Sequence, residues 1–101
     1  MAVHGVVHAL RRRVRLVAPD IEVRLARYLL GLVAARNPLL TGGIVEVELA
    51  ISQGELALLL GASRPKVNAA LVTLEDQGAI ERDGTKLTCH IDGLIAVASL
   101  D

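Results

Sequence analysis

The sequence predicts a mainly α-helical domain with a small antiparallel β component, an α+β fold. The chain has 101 residues, the length of one domain with a single hydrophobic core. Helical apolar spacing dominates the sequence, whereas strand-like segments are short and lie near residues 44–50 and 80–91. The chain has no Phe, no Trp and one Tyr, so Leu, Val, Ile and Ala must form the core, and these small aliphatic side chains suit packing between helices.

Composition and charge exclude several classes of protein. No uncharged apolar stretch reaches about 18 residues, so no membrane-spanning segment and no membrane partner are predicted. The single cysteine, Cys89, cannot form an internal disulfide, which favours a reducing compartment and predicts a cytoplasmic location. The formal net charge is zero, which argues against a generic polyanion binder, because non-specific DNA affinity comes from the neutralisation of phosphates.

Residues 1–18 are predicted to form an amino-terminal helix, followed by one domain at residues 19–101. The apolar residues of this helix recur at intervals of four and three, as in the seam of a left-handed helix pair: Val3, Val7, Leu10, Val14 and Val17. Only about two heptads are present, so two interpretations stay open. The seam either joins two copies of the chain in a homodimer or docks the helix on its own domain.

The first half of the predicted domain combines a helix and a strand. A helix is predicted at residues 21–36, with Asp20 as its N-cap and the Asn-Pro pair 37–38 as its end. A turn at residues 41–43 precedes residues 44–50, which alternate apolar and acidic side chains. This alternation predicts a short half-buried strand whose glutamates face water.

Two further helices meet at a tight corner. Ser52 and Glu55 have the spacing of a capping box, so a helix is predicted to begin directly after Ser52. Gly61 ends that helix, because glycine tolerates the left-handed backbone conformation. Ser63 caps the next helix, whose first turn tolerates Pro65. The inward face of this helix is predicted to be Val67, Ala70, Leu71 and Leu74.

A hairpin and a short helix complete the domain. Segments 80–82 and 86–91 flank the Asp-Gly pair 83–84, a strong hairpin signal, and Asp92 is predicted to cap the last helix. Two helices with a glycine-containing corner, followed by a hairpin, form the outline of a winged helix-turn-helix, with residues 80–91 as the wing. An ordinary helical hairpin with a glycine corner is the alternative interpretation.

A long run of residues in this outline matches a known motif at fixed spacing. The matching residues are Ser52, Gln53, Glu55, Leu56, Ala57, Leu59, Leu60, Gly61, Ser63, Arg64, Val67, Asn68, Ala70, Leu71, Leu74, Glu75, Gly78 and Ile80. Through this run, residues 44–96, and more loosely 20–43, resemble the carboxy-terminal DNA-binding domain of the Crp/Fnr family of bacterial transcription regulators. In that family the segment before Pro19 would correspond to the end of the dimerisation helix.

The resemblance implies that the second helix of the corner, about residues 64–77, enters the major groove of double-stranded DNA with its amino end first. Arg64 is the best candidate for base reading, because arginine can donate two hydrogen bonds to guanine. Lys66 and Asn68 flank the outward face and would contact phosphate and adenine, respectively. The alternative is that all three are solvated surface residues, or that Arg64 pairs with Glu75 or Asp76 of its own helix.

Pro65 and Ala69 mark a departure from the family pattern. Members of the family often carry an acidic residue and an arginine at these two places, both able to reach bases. Small apolar groups can instead meet thymine methyls, so a changed base preference is expected. The remaining site candidates are phosphate contacts at helix starts and in the wing: Gln53, Ser63, Arg82, Thr85 and Lys86.

Enzymatic activity is not predicted. Cys89 and His90 are neighbours on a strand and must face opposite sides, which disfavours a catalytic pair. His4 and His8 have the spacing of a metal pair but lack a recognisable third ligand. No residue here resembles the family's sensory barrel, so no cofactor is expected within these residues.

The predicted partners are double-stranded DNA and a second copy of the chain, and RNA polymerase is a further partner consistent with the resemblance. The alternatives are a winged-helix module that binds proteins without DNA, or a free-standing winged-helix repressor of another family.

Overall fold

A computed structural model describes residues 20–40 and 42–100. In chain order the elements are α1 (Ile21–Arg36), β1 (Ile44–Glu48), α2 (Gln53–Leu60), α3 (Arg64–Asp76), β2 (Ile80–Asp83), β3 (Lys86–His90) and α4 (Ile91–Ala98). The predicted α+β winged helix-turn-helix is confirmed. The predicted helix at residues 1–18, with its apolar seam, lies outside the described residues, as does the boundary before residue 19.

Helix α1 occupies the centre of the helical layer and packs against α2, α3 and α4. Its buried residues follow helical spacing: Val23, Leu25, Ala26, Leu29 and Val33. Asp20 stands at the predicted N-cap position, but its side chain makes no capping hydrogen bond. The Asp20 carbonyl accepts the first hydrogen bond of the helix, from the Arg24 amide at 3.0 Å.

The three strands form an antiparallel sheet in the order β1-β3-β2, so β3 is central. In the register, Val47 lies opposite Leu87 and Val45 lies opposite Cys89. The predicted alternation in β1 is confirmed, since Val47 is buried whereas both glutamates of the strand are exposed. The strand ends at Glu48, two residues earlier than predicted, although the Leu49 amide still donates to the Thr85 carbonyl at 2.8 Å.

The corner between α2 and α3 has the predicted geometry. The Glu55 amide donates to the Ser52 hydroxyl at 3.1 Å and the Ser52 amide donates to the Glu55 carboxylate at 3.0 Å, which completes the capping box. Gly61 has φ 66° and ψ 39°, the left-handed conformation that ends α2. Ser63 is the N-cap of α3, and Pro65 lies in its first turn. The predicted inward face of α3 is buried throughout: Val67, Ala70, Leu71 and Leu74.

Two predicted boundaries near the hairpin are wrong by one or two residues. Asp83 pairs with Lys86, so the two-residue turn is Gly84–Thr85, with Gly84 at φ 63°. Helix α4 begins at Ile91 with His90 at its N-cap, whereas Asp92 lies in the first turn. Tertiary contacts account for the earlier start of the helix. The Ile91 side chain is buried, and its amide donates to the Gly43 carbonyl at 2.9 Å. Asp92 still favours the helix, since an acidic residue in the first turn opposes the helix dipole.

The described residues share one hydrophobic core between the helices and the inner face of the sheet. No helix within the described ranges is long and apolar enough to cross a membrane.

Two glycine-to-alanine substitutions should have opposite effects on stability. We expect Gly61→Ala to lower the free energy of unfolding by about 1–2 kcal/mol, because alanine is strained in the left-handed conformation. The matched control is Gly31→Ala in α1, where an added Cβ meets no atom within 4 Å. That change should raise the free energy of unfolding by up to about 1 kcal/mol, since it replaces a helical glycine. Urea unfolding monitored by circular dichroism measures both, and equal effects would contradict the assignment of Gly61 as the helix stop.

Candidate nucleic-acid interface

The amino end of α3 presents all five base-reading candidates to solvent. Arg64, Pro65, Lys66, Asn68 and Ala69 are exposed. The inward face of α3 points the other way and is buried: Val67, Ala70, Leu71 and Leu74. Because successive helical residues are rotated by about 100°, burial of one face fixes the exposure of the opposite face. The structure therefore brings the five predicted residues together on one exposed surface.

Arg64 extends across the start of α2. Its Cδ atom lies next to Gly54, 3.7 Å from the position that a Cβ atom on that glycine would occupy. Of the two acidic partners considered for Arg64, Glu75 and Asp76, the first is engaged elsewhere, because Glu75 forms an ion pair with Arg82. The Arg64 side chain thus lies beside the amino ends of both α2 and α3, where backbone amides attract anions.

The two phosphate candidates at helix starts lie next to this surface. Gln53 is the first residue of α2 and is half-buried. Ser63 is exposed, and its hydroxyl accepts a hydrogen bond from the Lys66 amide at 3.4 Å. Both residues therefore stand where unpaired helix amides carry partial positive charge.

Two arginines of α1 bond to the carboxyl ends of other helices, and sequence reasoning missed both. Arg24 donates a hydrogen bond to the carbonyl of Leu60, the last residue of α2. Arg27 donates to the carbonyl of Ala98, the last residue of α4, at 3.3 Å. Helix ends leave such carbonyls without intrahelical donors, and a cation there also favours the helix dipole. The available signal was the position of two of the three arginines of α1 among apolar residues, but that pattern does not identify the carbonyls that they bond.

In the wing, Arg82 forms an ion pair with Glu75 of α3, with 2.7 Å between Nη2 and Oε1. The side chains are 26% and 31% exposed, respectively. The hydrogen bond from Arg82 lowers the pKa of Glu75 below its ordinary value. Burial opposes this shift, and the charge of Arg82 adds to it as the smallest of the three contributions. This pair connects the wing to the carboxyl end of the predicted recognition helix.

The tip of the wing is bonded to β1. The Thr85 hydroxyl donates to the Glu48 carboxylate at 2.5 Å. Lys86, the third wing candidate, is exposed at the start of β3. Of the three wing residues predicted to contact phosphate, Arg82 and Thr85 thus bond to carboxylates within the protein itself. Contact of any of the three with phosphate stays a prediction.

Cys89 and His90 face opposite sides of β3, as their adjacency on a strand predicts. Cys89 has 0% exposure, and burial raises the pKa of its thiol to about 11. His90 instead lies 2.7 Å from the Glu81 carboxylate, measured from Nε2. Within residues 20–40 and 42–100, no group of three or more His, Cys, Asp or Glu side chains could hold a metal ion. The His4 and His8 pair lies outside these ranges.

Comparison with known proteins identifies the family. A sequence profile of the Crp-like helix-turn-helix domain matches residues 23–96. The chain belongs to the Crp-like helix-turn-helix domain family. The resemblance to the Crp/Fnr regulators seen in the sequence is therefore confirmed, and the family is one of transcription regulators. No curated protein sequence matches the chain.

Solved structures share the fold of this Crp-like domain. A putative cyclic nucleotide binding protein from Ruegeria pomeroyi has a TM-score of 0.70 at 22% identity, over 98% of this chain and 42% of that chain. A mutant of CooA from Carboxydothermus hydrogenoformans has a TM-score of 0.68 at 27% identity, over 83% of this chain and 39% of that chain. Reduced CprK without ligand has a TM-score of 0.63 at 16% identity, over 95% of this chain and 46% of that chain. The chain thus spans less than half the length of each of these structures.

The buried thiol of Cys89 should be chemically inert in the folded domain. Alkylation requires the thiolate, and a pKa of about 11 in place of 9.0 lowers the thiolate fraction at neutral pH by about a hundredfold. We expect iodoacetamide to label Cys89 at least that much more slowly in buffer than in denaturant, as measured by mass spectrometry. Similar rates in the two conditions would show that the thiol is accessible and the hairpin is open.

Proposed function

We propose that this Crp-like domain binds double-stranded DNA in a sequence-specific manner as the DNA-binding part of a bacterial transcription regulator. Helix α3 would be the recognition helix in the major groove, and the β2–β3 hairpin would be the wing on the backbone. The observation that carries the proposal is the cluster at the amino end of α3, where Arg64, Lys66 and Asn68 are exposed while Val67 is fully buried.

Local charge supports this proposal although the net charge is zero. Of the eleven basic residues, none lies between Arg36 and Arg64, and the last four all lie in α3 or the wing: Arg64, Lys66, Arg82 and Lys86. Arg24 and Arg27, by contrast, donate to helix carbonyls within the domain. The first turn of α3 therefore carries Arg64 and Lys66 without an acidic residue, and a local positive potential there matters more than the total charge.

The outward face of α3 favours an unusual base preference. Pro65, Ala69 and Val72 are exposed on this face and bring no polar group to the groove. Their small apolar surfaces can contact thymine methyls, whereas the guanidinium of Arg64 can bond to the O6 and N7 of guanine. We therefore propose a half-site that combines one guanine contact with thymine contacts, in place of the family's usual charged readers.

Phosphate contacts would set the register on DNA. Gln53 and Ser63 lie at helix starts and Lys86 is exposed on the wing, which suits them to bind phosphate oxygens. Arg82 and Thr85, the other two candidates from the sequence, would first have to release Glu75 and Glu48.

Further parts of the proposal rest on the sequence and the family alone. They are a homodimer formed through the seam of Val3, Val7, Leu10, Val14 and Val17, contact with RNA polymerase, cytoplasmic location, and the absence of a cofactor within this chain. The residues of the seam lie outside the described part of the chain. CooA is named as a CO-dependent transcription factor, but nothing on the described surface indicates an effector for this chain.

Removal of the Arg64 side chain should weaken binding to a selected DNA site. We expect Arg64→Ala to reduce affinity by roughly 1–3 kcal/mol, or about five- to 150-fold, and to relax the preference for guanine at one position. The matched control is Arg36→Ala, which makes the same change of charge at the exposed carboxyl end of α1. Fluorescence anisotropy with a site selected from a random duplex library, at two salt concentrations, measures both.

If the wild-type chain binds no duplex DNA, or binds it without salt dependence, the proposal is wrong. The apolar face of α3 would then favour the alternative of a protein-interaction module. If Arg64→Ala and Arg36→Ala lower the affinity for DNA by the same factor, the proposed DNA binding still holds but Arg64 does not read a base.

Charges placed in the amino-terminal seam should dissociate a dimer. We expect the double substitution Val7→Glu and Val14→Glu to convert the chain to a monomer, because carboxylates cannot be buried in an apolar helix pair. Arg12→Glu, which lies off the seam, is the control and should leave the dimer intact. Sedimentation equilibrium gives the masses, and a monomeric wild-type chain would favour docking of the segment on its own domain.

A further inference from the structure

The two strands of the wing place Arg82 on the side of the hairpin that faces the helices. Side chains alternate along a strand, so Arg82 shares a face with Ile80, which is buried, and not with the exposed Glu81 and Asp83. Its cross-strand neighbour is Leu87, which is also buried. The stem of Arg82 therefore lies at the edge of the core, and only its guanidinium reaches the surface beside α3.

The ion pair spans the connection between the recognition helix and the wing. Glu75 is in the last turn of α3 and Arg82 is in β2, and the segment between them contains Gly78 at φ 73°. The 2.7 Å contact of the two side chains closes this seven-residue span. A second bond, from Thr85 to Glu48, holds the tip of the hairpin to β1. The wing is thus attached by side chains on two sides.

We propose that Arg82 is a positioning residue, which fixes the wing against the recognition helix through Glu75, and that Lys86 supplies the phosphate contact of the wing. This inference rests on the proposed DNA binding.

Release of Arg82 to a phosphate would be unfavourable. It would leave the Glu75 carboxylate without its partner and close to a polyanion, and like charges repel. Lys86 needs no such exchange, because its side chain is exposed at the beginning of β3. The two cations of the wing therefore have different roles. Arg82 holds the wing against α3, and Lys86 contacts the phosphate backbone of DNA.

Five variants in the full chain test this separation by affinity for a duplex site selected with the wild-type protein, the fifth being Lys86→Met. Glu75→Gln and Asp76→Asn each remove one negative charge from the last turn of α3, but only the first breaks the pair. Arg82→Met breaks the pair from the other side, and the fourth variant combines Glu75→Gln with Arg82→Met.

For a positioning role, Glu75→Gln should weaken binding by roughly three- to tenfold even though it removes a negative charge. Arg82→Met should cause a similar loss, the double variant should be no weaker than either single variant, and Asp76→Asn should bind at least as tightly as the wild type. The slope of log affinity against log salt should not change in Arg82→Met, whereas Lys86→Met should reduce it by about 0.9 per chain.

A direct phosphate contact predicts the opposite pattern. In that case Glu75→Gln would free Arg82, and this variant would bind DNA at least as tightly as the Asp76→Asn variant. Arg82→Met would itself reduce the slope of log affinity against log salt by about 0.9 per chain. Either result overturns the proposal.

A measurement without DNA separates this inference from the proposed function. Amide hydrogen exchange of the wing should accelerate in Glu75→Gln and in Arg82→Met but not in Asp76→Asn. In Arg82→Met the pKa of Glu75, followed by NMR, should rise towards its ordinary value. If the wild-type chain binds no DNA, the proposed function fails, and the exchange rates still decide whether the pair holds the wing. Unchanged exchange in Glu75→Gln would overturn the positioning role.

Discussion

Burial of the inward face of α3 is the constraint on which the rest of the structure depends. Val67, Ala70 and Leu74 are fully buried, and α3 packs against α1 and α2. Because the buried residues fix the rotation of α3 about its axis, side chains on the opposite face must be exposed. The exposure of Arg64, Lys66 and Asn68 therefore follows from the apolar contacts. A helix that is held in this way presents a rigid surface, which a DNA-reading element requires because base contacts tolerate little displacement.

The helix ends around this core are satisfied by groups from distant parts of the chain. Arg24 and Arg27 lie one turn apart on α1 and donate to the last carbonyls of α2 and α4, respectively. One helix thus stabilises the carboxyl ends of two others by hydrogen bonding and by charge. The corner between α2 and α3 is consequently held by three features: the buried core, the left-handed glycine at position 61 and a guanidinium on the final carbonyl of α2.

Acidic residues organise the wing as much as basic ones do. Glu75 and Glu48 engage Arg82 and Thr85, and Glu81 engages His90 on the other face of the hairpin. Exposed ion pairs contribute little to stability on their own, so their value here is geometric. The Glu75–Arg82 pair joins the hairpin to α3, the Glu48 contact joins it to β1, and the Glu81 contact joins its two strands.

The sequence by itself determined the order of the elements and the exposed face of α3. The capping box at Ser52 and Glu55, the glycine at position 61 and the apolar spacing in α3 are local signals, because each depends on residues a few positions apart. Contacts between distant residues could not be read in the same way. The start of α4 moved to Ile91 because its amide bonds to Gly43, and Arg82 turned towards Glu75 because strand alternation and the core placed it there. Only tertiary structure brings such partners together, and it alone decided which basic residues bond to carbonyls or carboxylates within the protein and which remain exposed.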